Sequence, residues 1–327
     1  MVATIFIDGE AGTTGLQIRD RLAGRRDLEV LSIDPDKRKD LGERQRLLNA
    51  ADIAILCLPD DAARESVRLI ENETTRVIDA STAFRTDPCW TYGFAEMDAE
   101  QGRKIAAARF VANPGCWPQG LIAALRPLVE ARLVPPDYPV NYHGISGYSG
   151  GGKQMIAEYE GASSPSQYMP YALTFVHKHL PEMAMYARLN RNPLFEPVVG
   201  NFAQGMATSV PLHLDLMADI PTGRDLHAAL ADYYAALAPR CVPTPVSLYV
   251  LLKSSSSSIN VIAHGGTKVC APSGVRTKAV LYGAAHFGKL AYPSVRQMTP
   301  FRSLISPCST SSSTRWNTGR RSVPPPP

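Results

Sequence analysis

Apolar positions in the first third of the chain come in short blocks separated by longer mixed stretches. Thr4–Asp8 reads as a first strand, followed by a glycine turn and a helix from about Thr14 to Ala23. Glu29–Ile33, Ile53–Leu58, Arg76–Asp79 and Phe110–Val111 repeat the strand signal. The nearly unbroken apolar run at Ile53–Leu58, stopped by Pro59, is what a strand covered on both faces requires. This βαβ rhythm predicts an α/β fold, a Rossmann-like doubly wound parallel sheet with right-handed crossovers.

After Asn113-Pro114-Gly115 the pattern changes. Trp117–Leu133 has a helical apolar face at Leu121, Leu125, Leu128 and Val129, with Pro118 near its first turn, where a missing N–H costs little. Val140–Tyr142, Val198–Val199 and Ser209–Leu216 read as strands, and Asp225–Leu237 as a further helix. A second, α+β catalytic domain is expected here. The division predicted is 1–116, 117–240 and an atypical, poorly ordered tail at 241–327.

Charge supports that last boundary. The chain has 327 residues and a net charge of +4. Residues 241–327 hold four Lys and six Arg but neither Asp nor Glu, so the preceding part carries all 30 acids against 24 bases. A run of five serines after Lys253 and four closing prolines complete a composition that usually stays disordered. The basic pI is thus a property of the tail and gives no reason to expect nucleic-acid binding. No run approaches the roughly 18 apolar residues of a membrane-spanning helix, and the N-terminus lacks a signal-peptide layout, so a cytoplasmic protein is expected. The six cysteines have no regular spacing and no CxxC pair, which argues against structural disulfides and zinc.

Gly9-Glu10-Ala11-Gly12-Thr13-Thr14-Gly15 is a GxxGxxG turn between the first strand and the first helix. Small residues there let backbone approach a pyrophosphate, whose charge then lies at a helix N-terminus; a merely tight turn is the alternative. Asp34 could accept from a ribose hydroxyl and favour NAD, whereas Ser32 and Lys37-Arg38-Lys39 suit the 2′-phosphate of NADP. The cofactor contacts expected are Gly9, Gly12, Thr13, Thr14, Gly15, Ser32, Arg38, Cys57, Pro59 and Ser81.

Cys116 lies between a Pro-Gly turn and a helix start, where N–H groups and the helix dipole would stabilise a thiolate and bind an oxyanion; a buried inert cysteine is the competing reading. His177-Lys178-His179-Leu180-Pro181-Glu182 could supply a general base and a group that holds its tautomer. It could also be part of a metal site, for which further ligands are lacking, or a solvent-facing turn. Ser146–Lys153 is read as a flexible loop able to take a phosphate or carboxylate, or as a hinge; Arg85 is an anion contact or a surface charge.

Taken in order, these motifs resemble the N-acetyl-γ-glutamyl-phosphate reductase family of arginine biosynthesis, in its shorter form. The residues carrying the resemblance are the GxxGxxG turn, Asp79–Arg85, Tyr92–Glu96, Asn113–Pro118, Ser146–Lys153, His177–Glu182 and Gly200-Asn201-Phe202, within roughly residues 1–237. The resemblance implies NADPH as cofactor, Cys116 as nucleophile, His179 with His177 and Glu182 as the acid/base group, and no metal. It also implies an acyl-phosphate substrate touched by Arg85, Asn113, Ser146, Ser149 and Lys153, and a homo-oligomer, dimer or tetramer. Aspartate-semialdehyde dehydrogenase is the nearest rival, opposed by Asn113–Trp117 and His177–Glu182. A catalytically dead nucleotide-binding product is a second, and a Cys–His hydrolase a third. The family's last part returns to the cofactor domain through a small-residue run and a helix with Gln-Asn near the nicotinamide. Residues 241–327 contain neither, which translation out of frame beyond about residue 240 would explain; the other two frames of the coding DNA test that.

Overall fold

Most strands of the first half are followed by a polar segment, and the crossover helices form there. The computed structural model describes residues 2–161, 163–217 and 219–237, and the backbone of three later strands. The first half runs β1 (Ala3–Asp8), α1 (Thr13–Leu22), β2 (Leu28–Leu31), α2 (Leu41–Ala50), β3 (Ile53–Leu56), α3 (Asp60–Arg68), β4 (Arg76–Asp79), β5 (Thr91–Tyr92), α4 (Gln101–Ala107) and β6 (Phe110–Ala112). The strand order is β2-β1-β3-β4-β6-β5, and every pairing is parallel. The order reverses between β1 and β3, and the crevice beyond the carboxyl ends of strands at such a switch point is where this architecture takes ligands. One core of this half joins Phe6, Ala54, Leu56 and Val77 of the strands to Leu47, Leu48 and Ala63 of α2 and α3.

The second half runs α5 (Cys116–Glu130), β7 (Asn141–Gly147), α6 (Gly152–Gly161), β8 (Tyr168–Pro170), α7 (Leu180–Tyr186), β9 (Leu194–Gly200), β10 (Met206–His213) and α8 (Gly223–Leu237). The backbone then forms β11 (Val246–Leu252), β12 (Ser258–Gly265) and β13 (Arg276–Leu281). All seven strands join one mixed sheet, ordered β13-β11-β12-β10-β7-β9-β8. The expectation of a poorly ordered tail otherwise falls on residues outside those described.

Helix α5 is apolar nearly all round, the signature of a helix sunk in a core. Leu121, Ile122, Leu125 and Leu128 are fully buried and pack with Phe195, Leu212 and Leu226. Burial of each such side chain contributes roughly 1.5–3 kcal/mol. Pro127 lies inside this helix, leaving the Ala123 carbonyl without its helical donor. The Tyr234 hydroxyl of α8 supplies one at 2.6 Å. The start of α5 is tied down as well: the Tyr142 hydroxyl donates to the Trp117 carbonyl at 2.6 Å, and the Trp117 indole N–H to the Tyr171 hydroxyl at 2.9 Å.

Two expectations need correction. Ser146–Lys153 is not a loop but the end of β7, a 3-10 turn over Tyr148–Gly151 and the first residues of α6. Three consecutive glycines hide this from a propensity reading, yet Gly152, at φ +79, is the residue that allows the sharp entry into the helix. The helix beginning near Trp117 stops at Glu130 rather than Leu133, because Arg132 adopts φ +59 and the Leu133 N–H turns back to the Leu128 carbonyl at 2.9 Å.

Candidate functional site

The glycine turn leaves β1 at the switch point. Gly9 has φ +88, and a Cβ there would lie 2.4 Å from the Cys57 carbonyl oxygen at the end of β3, so only glycine lets the two strand ends pack. Gly12 caps α1 without any side-chain hydrogen bond, so first-turn N–H groups remain available to an anion. Beside the turn opens a cleft of about 480 Å³ lined by Gly9, Glu10, Ala11, Ile33, Arg38 and Leu58, among others. Its floor is fixed by Arg44, whose Nη2 donates to Asp8 at 3.0 Å and to the Ser66 hydroxyl at 2.7 Å.

The residues expected to hold a dinucleotide are partly brought together here. Gly9 and Arg38 line the cleft, Cys57 and Pro59 follow β3 on either side of Leu58, which lines it, and Thr13, Thr14 and Gly15 open α1. Burial, with Asp79 and Asp8 nearby, pushes the Cys57 thiol up to about 11. Ser32 accepts from Arg19 Nη2 at 3.3 Å. Arg19 also pairs with the buried Glu10 at 2.9 Å, and Arg38 approaches the same carboxylate at 3.9 Å. Neither Glu10 nor Arg19 was assigned a role by sequence reasoning, since nothing in the spacing brings them together. Ser81 is buried and donates to Asp79 at 2.6 Å. Asp34 caps the 3-10 turn that follows it, accepting from the Asp36 N–H at 3.0 Å. An uncapped helix start, a cleft beside it and basic side chains at its rim fit NADP(H).

The second half reaches this turn through α6, where Lys153 Nζ donates to the Ala11 carbonyl. Ser146, at the end of β7, and Ser149, in the following 3-10 turn, precede that helix; Asn113 is exposed in the turn before α5.

Cys116 is the first residue of α5 and is exposed. Protein nevertheless crowds the sulfur, and that desolvation takes the thiol up from its ordinary range. The N–H groups of Trp117 and Cys116 and the Arg85 guanidinium pull the other way, while Glu182 adds to the rise. This corrects the expectation of a stabilised thiolate: the helix-start groups act as predicted, but burial outweighs them.

The His177–Glu182 segment is no solvent-facing turn, since His179 and Glu182 are 6% and 1% exposed. A Cβ on Gly115 would lie 2.9 Å from His179 Nε2, 2.8 Å from Arg85 Nη1 and 2.7 Å from Glu182 Oε1, so three side chains converge on the residue before Cys116. Burial, then Arg85, His177 and Lys178, lowers the His179 imidazole to about 3, leaving it neutral at physiological pH. Its Nδ1 is buried with no hydrogen-bond partner among the described residues. His177 Nδ1 accepts from the His179 N–H at 3.1 Å, and its ring sits edge-on to that of His179. Arg85 is likewise no surface charge: it is 7% exposed and ion-paired with Glu182 at 2.7 Å. Among the described residues, no three His, Cys, Asp or Glu are grouped to hold a metal ion, and no helix is long and apolar enough to cross a membrane.

Comparison with known proteins decides the family. Residues 10–105 match the semialdehyde dehydrogenase NAD binding domain, and residues 116–248 the semialdehyde dehydrogenase dimerisation domain. The chain is 63% identical over 238 residues to the N-acetyl-gamma-glutamyl-phosphate reductase of Chelativorans sp. (strain BNC1), covering 72% of this chain and 77% of that protein. The chain belongs to the N-acetyl-γ-glutamyl-phosphate reductase family. Its likeness to the same enzyme of Mesorhizobium japonicum (strain LMG 29417 / CECT 9101 / MAFF 303099) is 60% over equal shares. Solved structures share the fold at lower identity. Aspartate semialdehyde dehydrogenase II of Vibrio cholerae, complexed with ASA, superposes with a TM-score of 0.56 at 14% identity over 81% of this chain and 93% of its own. Aspartate semialdehyde dehydrogenase of Candida albicans, solved with NADP, gives 0.52 at 12% over 81% and 93%. Membership of the reductase family puts the chain among the oxidoreductases of arginine biosynthesis, and the aspartate-semialdehyde alternative fits less well.

Proposed function

We propose that this chain reduces N-acetyl-L-glutamyl 5-phosphate to N-acetyl-L-glutamate 5-semialdehyde and phosphate, using NADPH and a thioester on Cys116. The observation that carries the reading is an exposed cysteine residue at a helix start, next to a glycine on which His179, Arg85 and Glu182 converge.

The chemistry follows from the charges. Both the thiolate of Cys116 and the imidazolium of His179 are disfavoured on their own. Proton transfer from sulfur to the imidazole therefore accompanies attack on the acyl carbon and need not precede it. The C–S bond forms, the bond to phosphate oxygen breaks, and inorganic phosphate leaves. N–H groups at the start of α5 stabilise charge on the carbonyl oxygen. Gly9, Gly12, Thr13, Thr14, Gly15, Ser32, Arg38, Cys57, Pro59 and Ser81 would hold NADPH, which supplies hydride to the thioester carbonyl when bound. As the aldehyde departs, the sulfur takes back the proton held by His179. Arg85, Asn113, Ser146, Ser149 and Lys153 remain candidates for substrate contact, with Lys153 and Arg85 already engaged within the protein.

The division at residue 116 between a cofactor half and a catalytic half is supported by the separate domain matches on either side of it. The second of these, a dimerisation domain, supports a homo-oligomer, dimer or tetramer, which light scattering on the purified protein distinguishes.

Labelled acyl phosphate tests the mechanism. An adduct is expected on the native chain and none on Cys116→Ser; equal labelling of both removes Cys116 as nucleophile. Phosphate-dependent oxidation of the two semialdehydes separates this activity from that of aspartate-semialdehyde dehydrogenase.

A further inference from the structure

Three separate stretches of chain meet beneath the turn that presents Cys116, and they are joined by charged and polar groups that water barely reaches. Glu182, Tyr92 and Arg85 are 1%, 2% and 7% exposed. Glu182 Oε1 accepts from Arg85 Nη1 at 2.7 Å. Its Oε2 accepts from the Tyr92 hydroxyl at 2.8 Å and from the Gly115 N–H at 3.2 Å. Arg85 carries the network to the other end of the turn: Nε donates to the Asn113 carbonyl at 2.9 Å and Nη2 to the Ala80 carbonyl at 3.0 Å. The turn is thus held at its Asn113 carbonyl by the cation and at its Gly115 N–H by the anion of one buried pair.

Tyr92 completes the arrangement. Its ring stacks on Tyr186 at 3.7 Å, and the Tyr186 hydroxyl donates to the Arg85 carbonyl at 2.7 Å. Burial first, and then the Glu182 carboxylate, holds the Tyr92 phenol well above its ordinary value, so it stays protonated and donates. With all three kinds of Arg85 nitrogen and both Glu182 oxygens engaged inside the protein, these groups have little left for a ligand. A buried pair of this kind adds little net stability over apolar packing, but breaking it strands a charge. Its use here is geometric.

We propose that Tyr92, Arg85 and Glu182 are positioning residues, a clamp on the Asn113–Gly115 turn that sets how the Cys116 sulfur meets the acyl carbon. The proposal rests on Cys116 being the nucleophile. It removes Glu182 from the proton-transfer group and Arg85 from the substrate contacts.

Tyr92→Phe is the decisive variant, since it deletes one hydroxyl and keeps the ring stack. Its acylation rate, read as the single-turnover burst of phosphate release, and its kcat are expected to fall on the order of ten- to a hundredfold, because small misplacements of reacting groups cost rates of that size. KM for acyl phosphate and for NADPH should stay within about twofold, as expected for a group felt only in the transition state. A wild-type kcat, or an unchanged kcat with a raised KM for acyl phosphate, overturns the clamp. Glu182→Gln, which keeps the shape, should repeat the kcat loss; if it fails to fold, Tyr92→Phe decides alone. Should the protein not turn over at all, iodoacetamide alkylation of Cys116 decides, with a several-fold change in Tyr92→Phe expected and an unchanged rate overturning the proposal. Failure of the nucleophile assignment looks different: Cys116→Ser would then take up label like the native chain, whatever Tyr92→Phe does.

Discussion

Arg85 and Glu182 stand 97 positions apart in the chain, one from each half of the molecule, yet their 2.7 Å ion pair is nearly sealed from water. It joins the two polypeptide segments that hydrogen-bond the Asn113 carbonyl and the Gly115 N–H, just before Cys116. Any change that pushes on this pair is therefore expected to act on the chemistry before it acts on substrate affinity.

Gly115→Ala is the sharpest way to push. The new Cβ would come within 3 Å of Arg85, His179 and Glu182 together, none of which has room to retreat. Overpacking of this kind costs about 1–3 kcal/mol. The variant is expected to fold with a lowered melting temperature and to lose about two orders of magnitude or more in kcat. Steady-state rates beside a thermal melt check both.

Two glycines of the turn between β1 and α1 should respond in opposite ways. Gly9→Ala combines a left-handed φ of +88 with a 2.4 Å approach to the Cys57 carbonyl, so it should destabilise the fold by about 2 kcal/mol or more. At Gly12, φ −73, a Cβ would meet the Gly9 carbonyl at 3.2 Å and the Cys57 carbonyl at 3.9 Å. Gly12→Ala should cost under about 1 kcal/mol in stability while raising KM for NADPH several-fold, because the methyl group faces where a pyrophosphate must approach. Urea melts and cofactor titrations of the pair separate packing from binding.

His179 makes a pH prediction whose sign is fixed by burial. In the unfolded chain its imidazole takes up a proton near the ordinary 6.5, and in the folded protein only near 3. Between these values the unfolded state binds more protons, so this residue's contribution is intact above 6.5 and is lost as the pH falls toward 3. Urea midpoints should drop more steeply over that window for the native protein than for His179→Gln. In the free enzyme, kcat/KM should show no inflection near about pH 6.5 that disappears on replacing His179.

Thiol reactivity supplies a fourth expectation. Burial raises both Cys116 and Cys57, the latter to about 11, but only Cys116 is exposed. Without substrate, iodoacetamide should alkylate Cys116 slowly at neutral pH, with a rate still climbing above about pH 8.5, the usual thiol value. Cys57 should remain unlabelled until the protein unfolds. Mass mapping of the modified peptides reads both; fast labelling of Cys116 that levels off below neutrality would contradict the raised thiol.

How much of this could be seen in the sequence depended on the range of the interactions. β1, β4 and β6 are short apolar runs with clear stops, and they form within a residue of their predicted limits. Cys116 and His179 could be singled out as candidates because a helix start and a His-rich segment are local patterns. Helices α2, α3 and α7 were not among the expected elements: α2 and α3 are strongly polar, although Asp40 with Glu43 three residues on marks the start of α2, and α7 is seven residues long with a proline in its first turn. Tyr92 lay inside a recognisable motif without a role, because its partner Glu182 is 90 residues away and only tertiary packing introduces them. Glu10 and Arg19 illustrate the same point at shorter range, since their pairing needs the curl of the glycine turn. The reversal of the Cys116 expectation has another origin: helix-start donors can be read from a motif, whereas the protein mass around a sulfur cannot.

β10 has a companion that composition alone would have discarded. From Met206 to His213 it is paired residue for residue with β12, which comes from the acid-free stretch of the chain. A chain ended after Leu237 would lay that flank of β10 bare, offering unpaired amide and carbonyl groups along the middle of the second sheet. Open edges of this sort recruit other chains. β12 therefore closes an edge that would otherwise stand open, and its removal is expected to show first as aggregates and only afterwards as lost turnover.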